Sequence, residues 1–106
     1  MLEIVQKCIN EDRILYTSHA RYEMVAEEFG KIYDNEITEA VMNGEIIEIY
    51  EDDTPYPSYL LYGETDRSRP IHVVFAYNKD EDMIIIITTY QPTKEKWVGY
   101  KVRRKQ

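Results

Sequence analysis

The apolar run Met83-Ile84-Ile85-Ile86-Ile87 most constrains what this chain can fold into. Neighbouring side chains of an extended strand point to opposite faces, so this run is apolar on both. A strand of that kind belongs inside a sheet, with a neighbour on each side. The segment before it, Ile71 to Tyr77, puts large residues at Ile71, Val73, Phe75 and Tyr77, and His72, Val74 and Ala76 between them. The polar turn Asn78 to Asp82 joins the two as a hairpin. Met83–Tyr90 then needs a second neighbour, and Arg13–Tyr16 is the spare strand candidate. The predicted sheet order is Glu45–Glu51, Ser58–Gly63, Ile71–Tyr77, Met83–Tyr90, then Arg13–Tyr16.

Ahead of the strands the hydrophobic period is helical. Leu2, Val5, Cys8 and Ile9 mark a short amphipathic helix over Leu2–Asn10. Ser18 is placed to cap a second helix, from His19 to about Phe29, ending at Gly30. Its apolar positions are Ala20, Met24, Val25 and Phe29. A third helix starts near Asp34, carries Ile37, Ala40 and Val41 on its buried stripe, and ends at Asn43-Gly44. The expected core is Met24, Val25, Ile37, Val41, Val73, Phe75, Ile85 and Ile87. The fold class is α+β in one domain, 1–106, with helices on one face of a four- to five-stranded, mostly antiparallel sheet.

The single cysteine, Cys8, excludes an intramolecular disulfide and fits a reducing cytoplasm. No apolar run approaches the roughly 18 residues of a membrane span, so no membrane association is expected. A net charge of −7 opposes non-specific nucleic-acid binding, which neutralises phosphates with a basic surface. The acid is concentrated before residue 67, whereas Lys94, Lys96, Lys101, Arg103, Arg104 and Lys105 crowd the end. The acidic turns Glu51-Asp52-Asp53 and Asp80-Glu81-Asp82 lack the spaced ligands and glycine of a calcium loop. No metal and no cofactor is expected.

Several residues recur in a recognisable order. They are Ser18-His19-Ala20-Arg21, Met24, Ile37, Asn43-Gly44-Glu45-Ile46-Ile47-Glu48, Tyr50, Pro57-Ser58-Tyr59-Leu60-Leu61, Pro70-Ile71-His72-Val73-Val74, Ile87-Thr88-Thr89-Tyr90, Pro92 and Trp97. The ordered set, over about residues 13 to 104, resembles the family known as domain of unknown function 4258. Glu23 departs from the basic residue expected before the helix methionine, which weakens a phosphate-gripping role for that helix. The resemblance implies a RelE-like toxin fold, β-α-α-β-β-β, here with an extra N-terminal helix. It further implies a toxin component, an antitoxin-like protein partner, and RNA or the ribosome as target, with RNA cleaved without metal.

Residue chemistry names the candidates for such an activity. His19 and His72 are the only histidines, and a pair of them can serve 2′-hydroxyl attack as base and acid. Tyr90 ends the central strand, where toxins of that type place catalytic side chains. His19, His72 and Tyr90 are therefore the expected catalytic residues. Arg21, Lys94, Lys96, Arg103 and Arg104 are the expected nucleic-acid contacts, the last four interleaved with Trp97 and Tyr100 in a basic-aromatic end that suits phosphates and bases. Structural readings stand beside these: histidines hydrogen-bonded to backbone or tyrosine, Arg21 paired with a surface acid, a basic end that is solvated or docks on an acidic surface. Two function classes follow, a metal-independent ribonuclease and a non-catalytic protein-interaction domain of the same fold.

Overall fold

The computed structural model describes residues 1–105. Three helices, α1 (Leu2–Asn10), α2 (Ser18–Ala26) and α3 (Asp34–Met42), precede all but one strand of the main sheet. Its strands are β1 (Ile14–Tyr16), β2 (Glu45–Tyr50), β3 (Ser58–Glu64), β4 (Pro70–Asn78) and β5 (Met83–Tyr90), ordered β1-β5-β4-β3-β2. That is the order expected from two-sided burial of the isoleucine run. β1 joins β5 in parallel, and the other pairs are antiparallel. A separate hairpin, β6 (Trp97–Val98) and β7 (Val102–Arg103), ends the chain.

The helices pack on the face carrying Val73, Phe75, Ile84 and Ile86, all buried with Met24, Ile37 and Val41. Ile85 and Ile87 are a correction to the expected core, because each is only partly buried and faces away from the helices. The reason is register. Phe75 sits opposite Ile86 and Tyr77 opposite Ile84, and residues directly opposite share a face. Ile87 is the extra residue of a bulge, since Val74 opposes Thr88 while Phe75 opposes Ile86. Four consecutive isoleucines carry no signal for which alternate pair the helices cover. Ile86→Ala is expected to cost about 3 kcal/mol through lost transfer energy and a cavity, and Ile85→Ala about 1 kcal/mol. Equal midpoint shifts in urea melts of the two variants would contradict this facing.

Helix α2 differs in detail. Its cap is Thr17, not Ser18: the Thr17 hydroxyl accepts from the Ala20 N–H at 3.0 Å and donates to the Ile87 carbonyl at 3.0 Å. The helix stops at Ala26, short of Phe29. Val25 is 66% exposed, a second correction to the core, and Phe29 is exposed as well. Only Ala20 and Met24 of this helix turn inward. The helix lies along β5 beyond the end of β1 and supplies acceptors that a strand would otherwise supply. Glu27 Oε1 accepts from the Gln91 N–H at 2.8 Å and Glu23 Oε1 from the Thr89 N–H at 3.4 Å.

Arg69 ties the loop after α2 to the sheet. Its guanidinium donates to the Gly30 and Lys31 carbonyls, to Glu36 at 3.1 Å and to Gln91 at 2.7 Å. Asn43 closes the end of α3, donating to the Glu39 carbonyl at 2.8 Å and the Glu64 carbonyl at 2.6 Å.

Candidate functional site

The face of the sheet away from the helices carries His72, Tyr62 and Tyr90, which oppose one another across β3, β4 and β5. Glu45, Glu48 and Tyr50 of β2 share this face because they oppose Tyr62, Leu60 and Ser58. Simple alternation would split Glu45 from Glu48. The bulge between Ile46 and Glu48 brings both to one side.

The β6–β7 hairpin folds over this end of the face. Trp97 is nearly fully buried and meets the His72 ring edge-on, with centroids 4.5 Å apart. The turn runs through two left-handed residues, Gly99 (φ 58°) and Tyr100 (φ 63°). Glycine adopts that conformation freely, whereas a tyrosine there is strained. The strained turn aims the Tyr100 carbonyl at His72 Nε2, 2.7 Å away. Lys101 Nζ pairs with Glu45 at 2.8 Å, and Arg103 Nε with Glu48 at 2.9 Å. The basic end of the chain is thus a folded strap, anchored by charge to the acidic edge strand.

These contacts assign the proton positions. A carbonyl only accepts, so His72 Nε2 carries the hydrogen, and Nδ1 accepts from the Tyr90 hydroxyl at 3.2 Å. His72 is fully buried, and burial holds its pKa below the ordinary histidine value. Burial, with the nearby Tyr50 and Glu48, pushes the Tyr90 phenol up to about 12. Burial works against the Glu48 carboxylate, yet hydrogen bonds from Arg103 and Tyr50 hold it below the usual carboxylate range. The same Glu48 and Tyr50 contacts raise the Arg103 guanidinium further.

A cleft of about 610 Å³ opens beside this cluster. Tyr90 and Trp97 form its base, Glu27, Glu28 and Phe29 one wall, and Lys96, Arg103 and Arg104 another. Arg104 Nε donates to the Lys94 carbonyl at 2.5 Å, so Lys94 belongs to the same strap. Four residues named from sequence chemistry line the cleft, Tyr90, Lys96, Arg103 and Arg104; His72 lies buried beneath Tyr90, and Lys94 is tied to the strap through its carbonyl. The other two lie elsewhere. The His19 side chain is 65% exposed on α2 and pairs with Glu23 at 3.2 Å. No hydrogen bond or ring contact joins it to His72 or Tyr90 among the described residues. A base and acid pair made of His19 and His72 needs the helices on the His72 face, and they pack on the other. Arg21 pairs with Asp34 at 2.5 Å and stacks over the Tyr16 ring at 3.8 Å.

A family model, domain of unknown function (DUF4258), matches residues 16–91. The chain belongs to this family. No curated protein and no solved structure matches it. The DUF4258 span includes His19, Glu48, His72 and Tyr90, and the strap lies beyond it. Glu48 and Tyr50 belong to the ordered set that carries the resemblance but were not named as site residues, because an acid and a tyrosine in an edge strand suit a solvated face. Among the described residues no group of histidines, cysteines and carboxylates has metal-ligating geometry, and no helix is long and apolar enough to cross a membrane.

Proposed function

We propose that this DUF4258 protein is a metal-independent ribonuclease, in the manner of RelE-type toxins, acting in the cleft between α2 and the strap. The supporting observation is the meeting of Tyr90, Lys96, Arg103 and Arg104 in one cleft, with Glu48 bonded to Arg103. Arg103 uses Nε and Nη2 on Glu48, and Nη1 has no acceptor among the described residues, leaving it for a phosphate oxygen. Lys96 and Arg104 add positive charge on the same wall.

The chemistry is transfer within the RNA chain. Glu48, held ionised by Arg103, takes the proton of a 2′-hydroxyl as its oxygen bonds to the adjacent phosphorus. The bond from phosphorus to the 5′ oxygen breaks, and the Tyr90 hydroxyl gives that oxygen a proton. Arg103 and Lys96 stabilise the charge gathered on the phosphate oxygens. His72 stays beneath: its Nδ1 holds the Tyr90 hydroxyl proton at rest, and that hydroxyl turns from His72 to the 5′ oxygen in this step. The products are a 2′,3′-cyclic phosphate and a 5′-hydroxyl. An antitoxin-like protein that covers this cleft is the partner such a toxin requires.

Single-stranded RNA incubated with the protein and EDTA, with and without ribosomes, tests this. Cleavage to cyclic-phosphate ends is expected, with growth arrest on expression in a bacterial host. Glu48→Gln and Arg103→Ala should each lower the rate by about 10²-fold or more while the melt stays cooperative. Unchanged cleavage in the double variant would remove these residues from the reaction. The second reading, a non-catalytic protein-interaction domain, draws on the sealed His72 with both ring nitrogens bonded, and on the net charge of −7. No cleavage of any RNA offered, and no arrest, would favour it.

A further inference from the structure

The strap covers only one end of the helix-free sheet face. There the lid is basic and aromatic: Trp97 turns inward, while Lys101 and Arg103 hold Glu45 and Glu48. The strap does not reach the other end, where the face is only partly covered. Ala76, Ile85 and Ile87 floor a groove of about 530 Å³ walled by Asp52, Asp53 and Pro55. Leu15 opposes Ile85 in β1, is 53% exposed, and carries the apolar floor to the sheet edge. Tyr56 bonds to Asn78 and Asp80, which draws the Asn78–Asp82 turn against the Asp52–Tyr56 loop. Asp52, Asp53, Asp80 and Glu81 thereby gather at one rim, all exposed, with Lys79 the cation among them.

We propose that this groove docks a basic segment of a partner protein that carries aliphatic or aromatic side chains. Charge complementarity selects the partner: an acidic rim around an apolar floor fits lysine or arginine alternating with apolar residues. The covered end of the same face shows that fit within the chain, where a basic-aromatic hairpin meets acidic β2. The site is separate from the Tyr90–Arg103 cleft and holds whether or not RNA is cleaved.

The full chain, labelled at isoleucine methyls, is titrated with a synthetic peptide alternating lysine with isoleucine and tryptophan. A counterpart with glutamate for lysine serves as control. Saturable shifts are expected at Ile85 and Ile87, with Ile84 and Ile86 unmoved. Affinity should fall more than tenfold in Asp52→Lys/Glu81→Lys and fall with added salt. Equal binding of the glutamate peptide, or no saturable shift at Ile85 and Ile87, overturns the proposal. So does undiminished affinity in a double variant that melts as the wild type does. Shifts at Ile85 and Ile87 that grow with protein concentration and no peptide also overturn it, in favour of a second copy of this chain.

Discussion

Gly63→Ala is expected to destabilise the protein by about 3 kcal/mol or more, the upper range for a side chain forced into a packed site. Gly63 lies in β3 where α3 crosses it. A methyl group built there falls 2.6 Å from the Ala40 carbonyl carbon and closer still to its oxygen. The obstacle is helix backbone, which cannot rotate aside as a side chain can. Gly44 meets the same oxygen at 2.6 Å, so two glycines let α3 approach the sheet this closely. The change is to be read as a drop in the urea midpoint at unchanged slope. A variant within about 0.5 kcal/mol of wild type would show that α3 stands off from β3.

Replacing His72 by alanine is expected to cost about 3 kcal/mol, by the cavity left and by the unpaired groups around it. The Tyr90 hydroxyl loses its acceptor and the Tyr100 carbonyl its donor, so the strap loosens over Trp97. The effect carries a pH signature. Burial holds the folded-state pKa of His72 below 6.5, so the unfolded chain binds this proton first as pH falls. Wild-type stability should therefore be complete above pH 6.5 and decline below it, by up to about 1.4 kcal/mol per pH unit until the folded pKa is reached. His72→Ala should lack that part of the slope, so the stability difference between the two proteins narrows on acidification. A difference that stays constant from pH 7 to about 5 would show that His72 is not sealed as described.

Residue pattern alone determined the order of the three helices and of the five strands in the main sheet, but not the β6–β7 hairpin. The physical cause is the isoleucine run: a strand apolar on both faces must have two neighbours, and Arg13–Tyr16 was the only spare segment. The separation of periods, 3.6 before Asn43 and 2 after it, likewise placed helices and strands close to their observed bounds. Proton-moving and cationic side chains were also legible as types, and four of the eight named, Tyr90, Lys96, Arg103 and Arg104, line one cleft. Tertiary structure decided the rest. Which isoleucines face the helices depended on pairing register and a bulge at Ile87, and nothing in a run of identical side chains encodes either. Val25 and Phe29 fit a buried helical stripe by spacing, yet α2 rotates to put Ala20 and Met24 inward and its glutamates on the β5 edge amides. Glu48 joined the site because a bulge at Ile47 turned it to the face that the strap covers. His19 left it because helices and strap take opposite faces of the sheet. Facing, register and the fold-back of a charged terminus are settled by contacts between residues far apart in the chain, and local pattern carries no record of them.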